Sequence, residues 1–151
     1  MMNFESVDQI LDFAIKNEET AAEFYANLAS KMDRPYMKKV FEEFAMEEKG
    51  HKAKLLAVQK GKLMVGSEKK IIDLKLGDSL VEIDLDSNLN YQDALIVAMK
   101  AEKAAYKLYN DLASSTDDAN LKATLLDLAQ EEAKHKLRFE IEYDEFVLTE
   151  N

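Results

Sequence analysis

Along four segments of the chain, apolar residues recur in alternating steps of three and four, the spacing that lays a stripe down one side of an α-helix. The first segment spans about 7–31 and opens after Ser6, which with Gln9 three residues on makes a capping-box signal. The second starts at Pro35, a residue tolerated in a first helical turn, and fades by Gly61, giving a helix over about 35–60. The third follows Asn90 and covers about 91–114. The fourth follows Thr116, carries Asp117 and Asp118 at its dipole-favoured start, and covers about 117–143, with the tail "FVLTEN" expected to fray.

The joints near Asp33 and near 115–117 are short, so each pair of helices forms an antiparallel hairpin. The middle joint, 61–89, is long and changes period. There "IDLKL" and "VEIDL" alternate apolar and polar residues around Gly77 and Asp78, which reads as two extended pieces lying on the bundle. A helix of roughly 25 residues is about 37 Å long, and about 11 extended residues cover that distance. The crossover can therefore traverse the bundle and start the third helix at the same end as the second. The expectation is one all-α domain over 1–151, two antiparallel hairpins joined by one long crossover.

Each stripe has polar interruptions, and they match. The first reads Leu11, Ala14, Glu18, Ala21, Tyr25, Leu28, Met32, and the third Leu95, Ala98, Glu102, Ala105, Tyr109, Leu112. The second reads Met37, Phe41, Phe44, Glu48, His51, Leu55, Val58, and the fourth Leu121, Leu125, Leu128, Glu132, His135, Phe139. A single shift of 84 residues carries Glu18 onto Glu102, Tyr25 onto Tyr109, Glu48 onto Glu132 and His51 onto His135. Glu18 and Glu48 each lie 15 residues from Asp33, and Glu102 and Glu132 each lie 15 from Asp117, so all four sit at one height.

Composition narrows the chemistry. The net charge of −10 disfavours a nucleic-acid backbone or an anionic membrane as partner. The absence of cysteine excludes disulfides, thiol catalysis and cysteine-ligated metals. The N-terminus "MMNFESVDQI" lacks a signal peptide's regions, and no apolar run reaches membrane-spanning length; a soluble cytoplasmic protein is expected.

A lone Glu-x-x-His on a helix is usually a solvated pair. Two of them on apolar stripes, level with two further glutamates, are a different matter. Burying one unpaired carboxylate costs at least several kcal/mol, and no lysine or arginine lies on these stripes to neutralise four. Two divalent cations balance four carboxylates when both histidines are neutral. Residues three apart share a helix face, so Glu48 with His51, and Glu132 with His135, can each ligate from one helix. Carboxylate-rich ligation with one imidazole per ion suits iron or manganese, with zinc a further substitute. Glu47 and Glu131, four residues before the histidines, are placed to accept the ring protons that orient them.

The six residues resemble the ferritin-like di-iron family, in which two helices give a Glu each and two give Glu-x-x-His. Within it, "AIKNEETAAEFYANLA" and "AMKAEKAAYKLYNDLA" look most like rubrerythrin-type proteins, over roughly 7–143. The resemblance implies a ferritin-like four-helix bundle holding two iron ions, with Glu48 and Glu132 bridging. Glu18 and His51 would complete one ion's shell, and Glu102 and His135 the other's. Tyr25 and Tyr109 would hydrogen-bond ligand carboxylates. Three departures stand out: Ala105 occupies the place of a further rubrerythrin ligand glutamate, which puts that group's peroxide-linked ligand switching in question. Lys49 replaces the haem-binding methionine of bacterioferritins, so no haem is expected. Without cysteine there is no rubredoxin-like module, so the electron donor is external, a rubredoxin-like protein or another reductase.

The function so implied is a di-iron oxidoreductase reacting with hydrogen peroxide or dioxygen, in a homodimer. Two alternatives belong to other classes: an iron-storage protein that oxidises iron only while loading, and a metal-free helical interaction module.

Overall fold

The computed structural model describes residues 2–65, 69–74 and 90–150. Four helices account for most of it: α1 (Val7–Lys31), α2 (Pro35–Val65), α3 (Tyr91–Ser114) and α4 (Ala119–Glu150). Their starts are set locally. Ser6 Oγ accepts from the Gln9 amide at 3.2 Å, Asn90 Oδ1 from the Asp93 amide at 2.7 Å, and Asp118 Oδ1 from the Leu121 amide at 2.8 Å. Each satisfies an amide that the helix itself leaves without an acceptor.

Two helix ends differ from the expectation. α2 runs through Gly61 to Val65. A glycine inside a helix costs only about 1 kcal/mol, and the residues after it, Lys62, Leu63 and Met64, are good helix formers. α4 continues past Tyr143 to Glu150 instead of fraying. Its last turns have partners: Phe146 sets its ring edge against Tyr91 at 5.2 Å, and Glu142 accepts from Tyr91 at 2.7 Å and from Tyr36.

A two-stranded antiparallel ribbon adds to the helices. β1 (Met2–Ser6) pairs with β2 (Lys69–Leu74), with Asn3 opposite Asp73 and Phe4 opposite Ile72. The extended reading of "IDLKL" is thus met over Ile72–Leu74, whereas "VEIDL", Gly77 and Asp78 lie outside the described residues.

α1 packs along α2 and α3 along α4 as two antiparallel hairpins. The core falls into two apolar clusters, one towards each end. One joins Leu11 and Ala14 of α1, Leu55 of α2, Leu108 and Leu112 of α3, and Leu121, Leu125 and Leu128 of α4. The other joins Leu28 and Met32, Met37, Phe41 and Phe44, Leu95 and Ala98, and Phe139. The start of α3 therefore lies at the same end as the start of α2, as a crossover spanning the bundle requires. Between the clusters lies the layer that contains every buried glutamate among the described residues.

Candidate metal centre

Glu18, Glu48, Glu102 and Glu132 are each 1% exposed, and His135 is 2% exposed. The His51 side chain is 11% exposed. The structure brings all six sequence-selected residues into this one layer. Glu132 Oε1 stands 2.9 Å from His51 Nδ1, Glu18 Oε2 3.6 Å and Glu48 Oε1 3.8 Å. On the other side, Glu48 Oε1 is 3.2 Å and Glu102 Oε1 3.5 Å from His135 Nδ1. The two imidazoles lie parallel within 9°, centroids 5.5 Å apart.

Three groups of ligand-capable atoms result among the described residues: Glu18, Glu48, His51 and Glu132; Glu48, Glu102, Glu132 and His135; and, at the edge of the layer, His51, Glu131 and His135. Within each group the atoms lie within 4.8 Å of one another. Glu48 and Glu132 belong to both four-residue groups.

The hydrogen-bonding state of these atoms tests the fit to metal ions. Glu18 Oε2, Glu48 Oε1, Glu102 Oε2, Glu132 Oε1, the Nδ1 atoms of both histidines and Nε2 of His135 are buried without a hydrogen-bond partner. Buried polar atoms are almost always satisfied, because leaving one unpaired costs about 1–3 kcal/mol. Here the unpaired atoms are metal-ligand types, and they face one another. They fit bound metal.

The electrostatics agree. Burial first, then the charge of Glu18, raises the Glu48 carboxyl well above the usual carboxylate range. Burial, then the charges of Glu102 and Glu48, does the same for Glu132. For His51, burial pulls the pKa down, but Glu18, then Glu102 and Glu131, outweigh it and hold it above the ordinary imidazole value.

The tyrosines act across the bundle. Tyr25 OH donates to Glu102, and Tyr109 OH donates to Glu18, so each hairpin's tyrosine holds the other hairpin's glutamate. Burial, followed by the charge of that glutamate, raises both phenols well above their usual range, which keeps them donors. Glu47 corrects a detail of the sequence reading. Although it lies four residues before His51 on α2, it reaches across to His135 on α4, with Oε2 3.3 Å from Nε2. Glu131 likewise lies within 4.8 Å of ligand atoms of both His51 and His135.

The rubrerythrin family model matches residues 9–143. The chain belongs to the rubrerythrin family. A solved structure, a hypothetical protein from Pyrococcus furiosus, is similar to this rubrerythrin-family chain at 29% identity and a TM-score of 0.65. The likeness covers 89% of this chain and 86% of that one. Comparison with curated proteins returns no match. Among the described residues, no helix of this rubrerythrin-family bundle is long and apolar enough to cross a membrane.

Sequence reasoning missed Arg138, one of the chain's two arginines. Its guanidinium pairs with Glu47 at 3.1 Å and lies 4.5 Å from the Phe44 ring centroid. The available signal was its place three residues beyond His135, hence near the same helix face.

Proposed function

We propose that this chain is a di-iron oxidoreductase that reduces hydrogen peroxide or dioxygen. The observation that carries the reading is the pair of four-residue ligand groups sharing Glu48 and Glu132, in which each residue buries at least one ligand atom that has no hydrogen-bond partner. When bound there, two ferrous ions supply one electron each, and hydrogen peroxide takes those two electrons with two protons to become two waters.

The residues divide the remaining work. Glu48 and Glu132 would serve both ions, Glu18 with His51 would hold one, and Glu102 with His135 would hold the other. Tyr25 and Tyr109 each hold one oxygen of a ligand carboxylate and so fix its orientation. The apolar clusters on either side keep bulk water from the layer. Ala105 leaves its place on α3 without a carboxylate, so the set stays at six. An external reductant restores the ferrous state.

The test is anaerobic. Protein loaded with ferrous iron is mixed with peroxide, and iron oxidation is followed by absorbance while iron per chain is quantified. Two irons per chain, oxidised by one equivalent of peroxide, are expected. Loaded iron that stays ferrous in peroxide would remove the oxidoreductase reading.

A further inference from the structure

The 84-residue shift also carries Phe44 onto Leu128, Glu47 onto Glu131 and Lys54 onto Arg138. Two of those three pairs differ in residue type, and the surroundings of the two histidines differ with them. Around His135 a closed loop of contacts forms. The Phe44 ring meets the His135 ring edge-on at 4.9 Å. Glu47 Oε2 stands 3.3 Å from His135 Nε2, in charge contact with it but not aligned as a hydrogen bond. Arg138 Nη1 reaches both oxygens of Glu47, at 3.1 and 3.4 Å, and its guanidinium covers the Phe44 ring.

Around His51 the corresponding pieces do not close. Leu128 has no ring face to receive a cation. Glu131 lies 3.6 Å from Lys134 on its own helix, and among the described residues no ion pair joins it to Lys54. The His51 side chain is 11% exposed against 3% for His135.

An imidazole that ligates through Nδ1 keeps its proton on Nε2. A carboxylate fixed beside that proton orients the ring and strengthens it as a ligand. Arginine fixes the carboxylate with a planar fork and stacks on an aromatic face, and lysine does neither in that way. We propose that the Arg138–Glu47 strap makes the two metal positions unequal: the His135 position binds first and tightly, and the His51 position is the exchangeable one, open to small molecules. Glu47 and Arg138 are positioning residues, acting through His135. This rests on the reading that the centre takes two metal ions.

The test is anaerobic titration of the full metal-free chain with ferrous ion, followed by calorimetry. The wild type is expected to bind in two separate steps. Glu47→Gln and Arg138→Ala weaken the first step by about 10- to 100-fold, and Arg138→Lys weakens it less. Glu131→Gln acts on the second step. Both strap residues are more than 40% exposed, so the metal-free variants should melt near the wild type, which separates a lost tether from a lost fold. Two equal steps in the wild type, or Glu47→Gln and Glu131→Gln weakening the same step alike, would overturn the inequality and leave the two-ion reading standing. A wild type that takes up no ferrous ion would overturn that reading and this inference with it.

Discussion

Glu132→Gln should make the metal-free protein more stable while abolishing its response to metal. Glu132 is 1% exposed, and burial together with Glu102 and Glu48 raises its pKa well above the usual carboxylate range. A raised folded-state pKa in an acid means that folding retains a proton that unfolding releases. Stability is therefore intact below the unfolded pKa and declines as pH rises above it. The decline is about 1.4 kcal/mol per pH unit above roughly 4.3 for a carboxyl that stays protonated in the folded chain. By pH 7 it reaches at most roughly 3 to 4 kcal/mol. Glutamine has nearly the same shape and no proton to lose, so it removes that penalty. For a chain of this length, about 2–4 °C of Tm accompanies each kcal/mol, so the variant should melt higher at pH 7, by up to roughly 15 °C. Near pH 4.5 the difference should vanish.

With metal the order reverses. Free ion at about 100 times Kd adds about 2.7 kcal/mol to the wild type, whereas the variant has lost a carboxylate shared by both four-residue groups. Thermal unfolding followed by circular dichroism, with chelator or with manganous ion, at pH 4.5 and pH 7, measures all four quantities. A metal-free Glu132→Gln that melts below the wild type at pH 7, or that gains as much from manganese, would refute the reasoning.

Two further outcomes follow from the same layer and its flanks. Tyr25→Phe removes the donor to Glu102, and the buried oxygen left behind should destabilise the metal-free chain by about 1–3 kcal/mol; urea unfolding measures this, and a change below about 0.5 kcal/mol would mean the hydrogen bond is not formed in solution. Phe139→Ala empties a site fully buried against Phe44, whose ring lies 4.0 Å away, and should cost about 3–5 kcal/mol by the same assay.

The features legible in the sequence were those that local chemistry decides. Ser6, Asn90 and Asp118 cap their helices through amides three residues away, so the helix starts could be read within a few positions. The six site residues were visible because glutamate and histidine interrupt stripes that are otherwise apolar. What spacing along one helix could not reveal was pairing across the bundle. Tyr25 with Glu102, Tyr109 with Glu18, and Glu47 with His135 all depend on how the hairpins dock. The pairing of β1 with β2 was hidden for the same reason, since Phe4 meets Ile72 far along the chain. The persistence of α4 to Glu150 likewise depends on Tyr91 and Tyr36, which belong to other helices.

Neither four-residue group is complete within one hairpin: Glu132 comes to the first from α4, and Glu48 to the second from α2. Helical hairpins join neighbours in sequence and form early, because closing a short loop costs little entropy. On the two-ion reading proposed above, capturing the ions would then come last, after the two halves have met, and the metal would act as a latch between preassembled pieces. Cells that withhold the cation would then accumulate a chain already helical, its halves joined at the waist by the hydrogen bonds of Tyr25 to Glu102 and Tyr109 to Glu18.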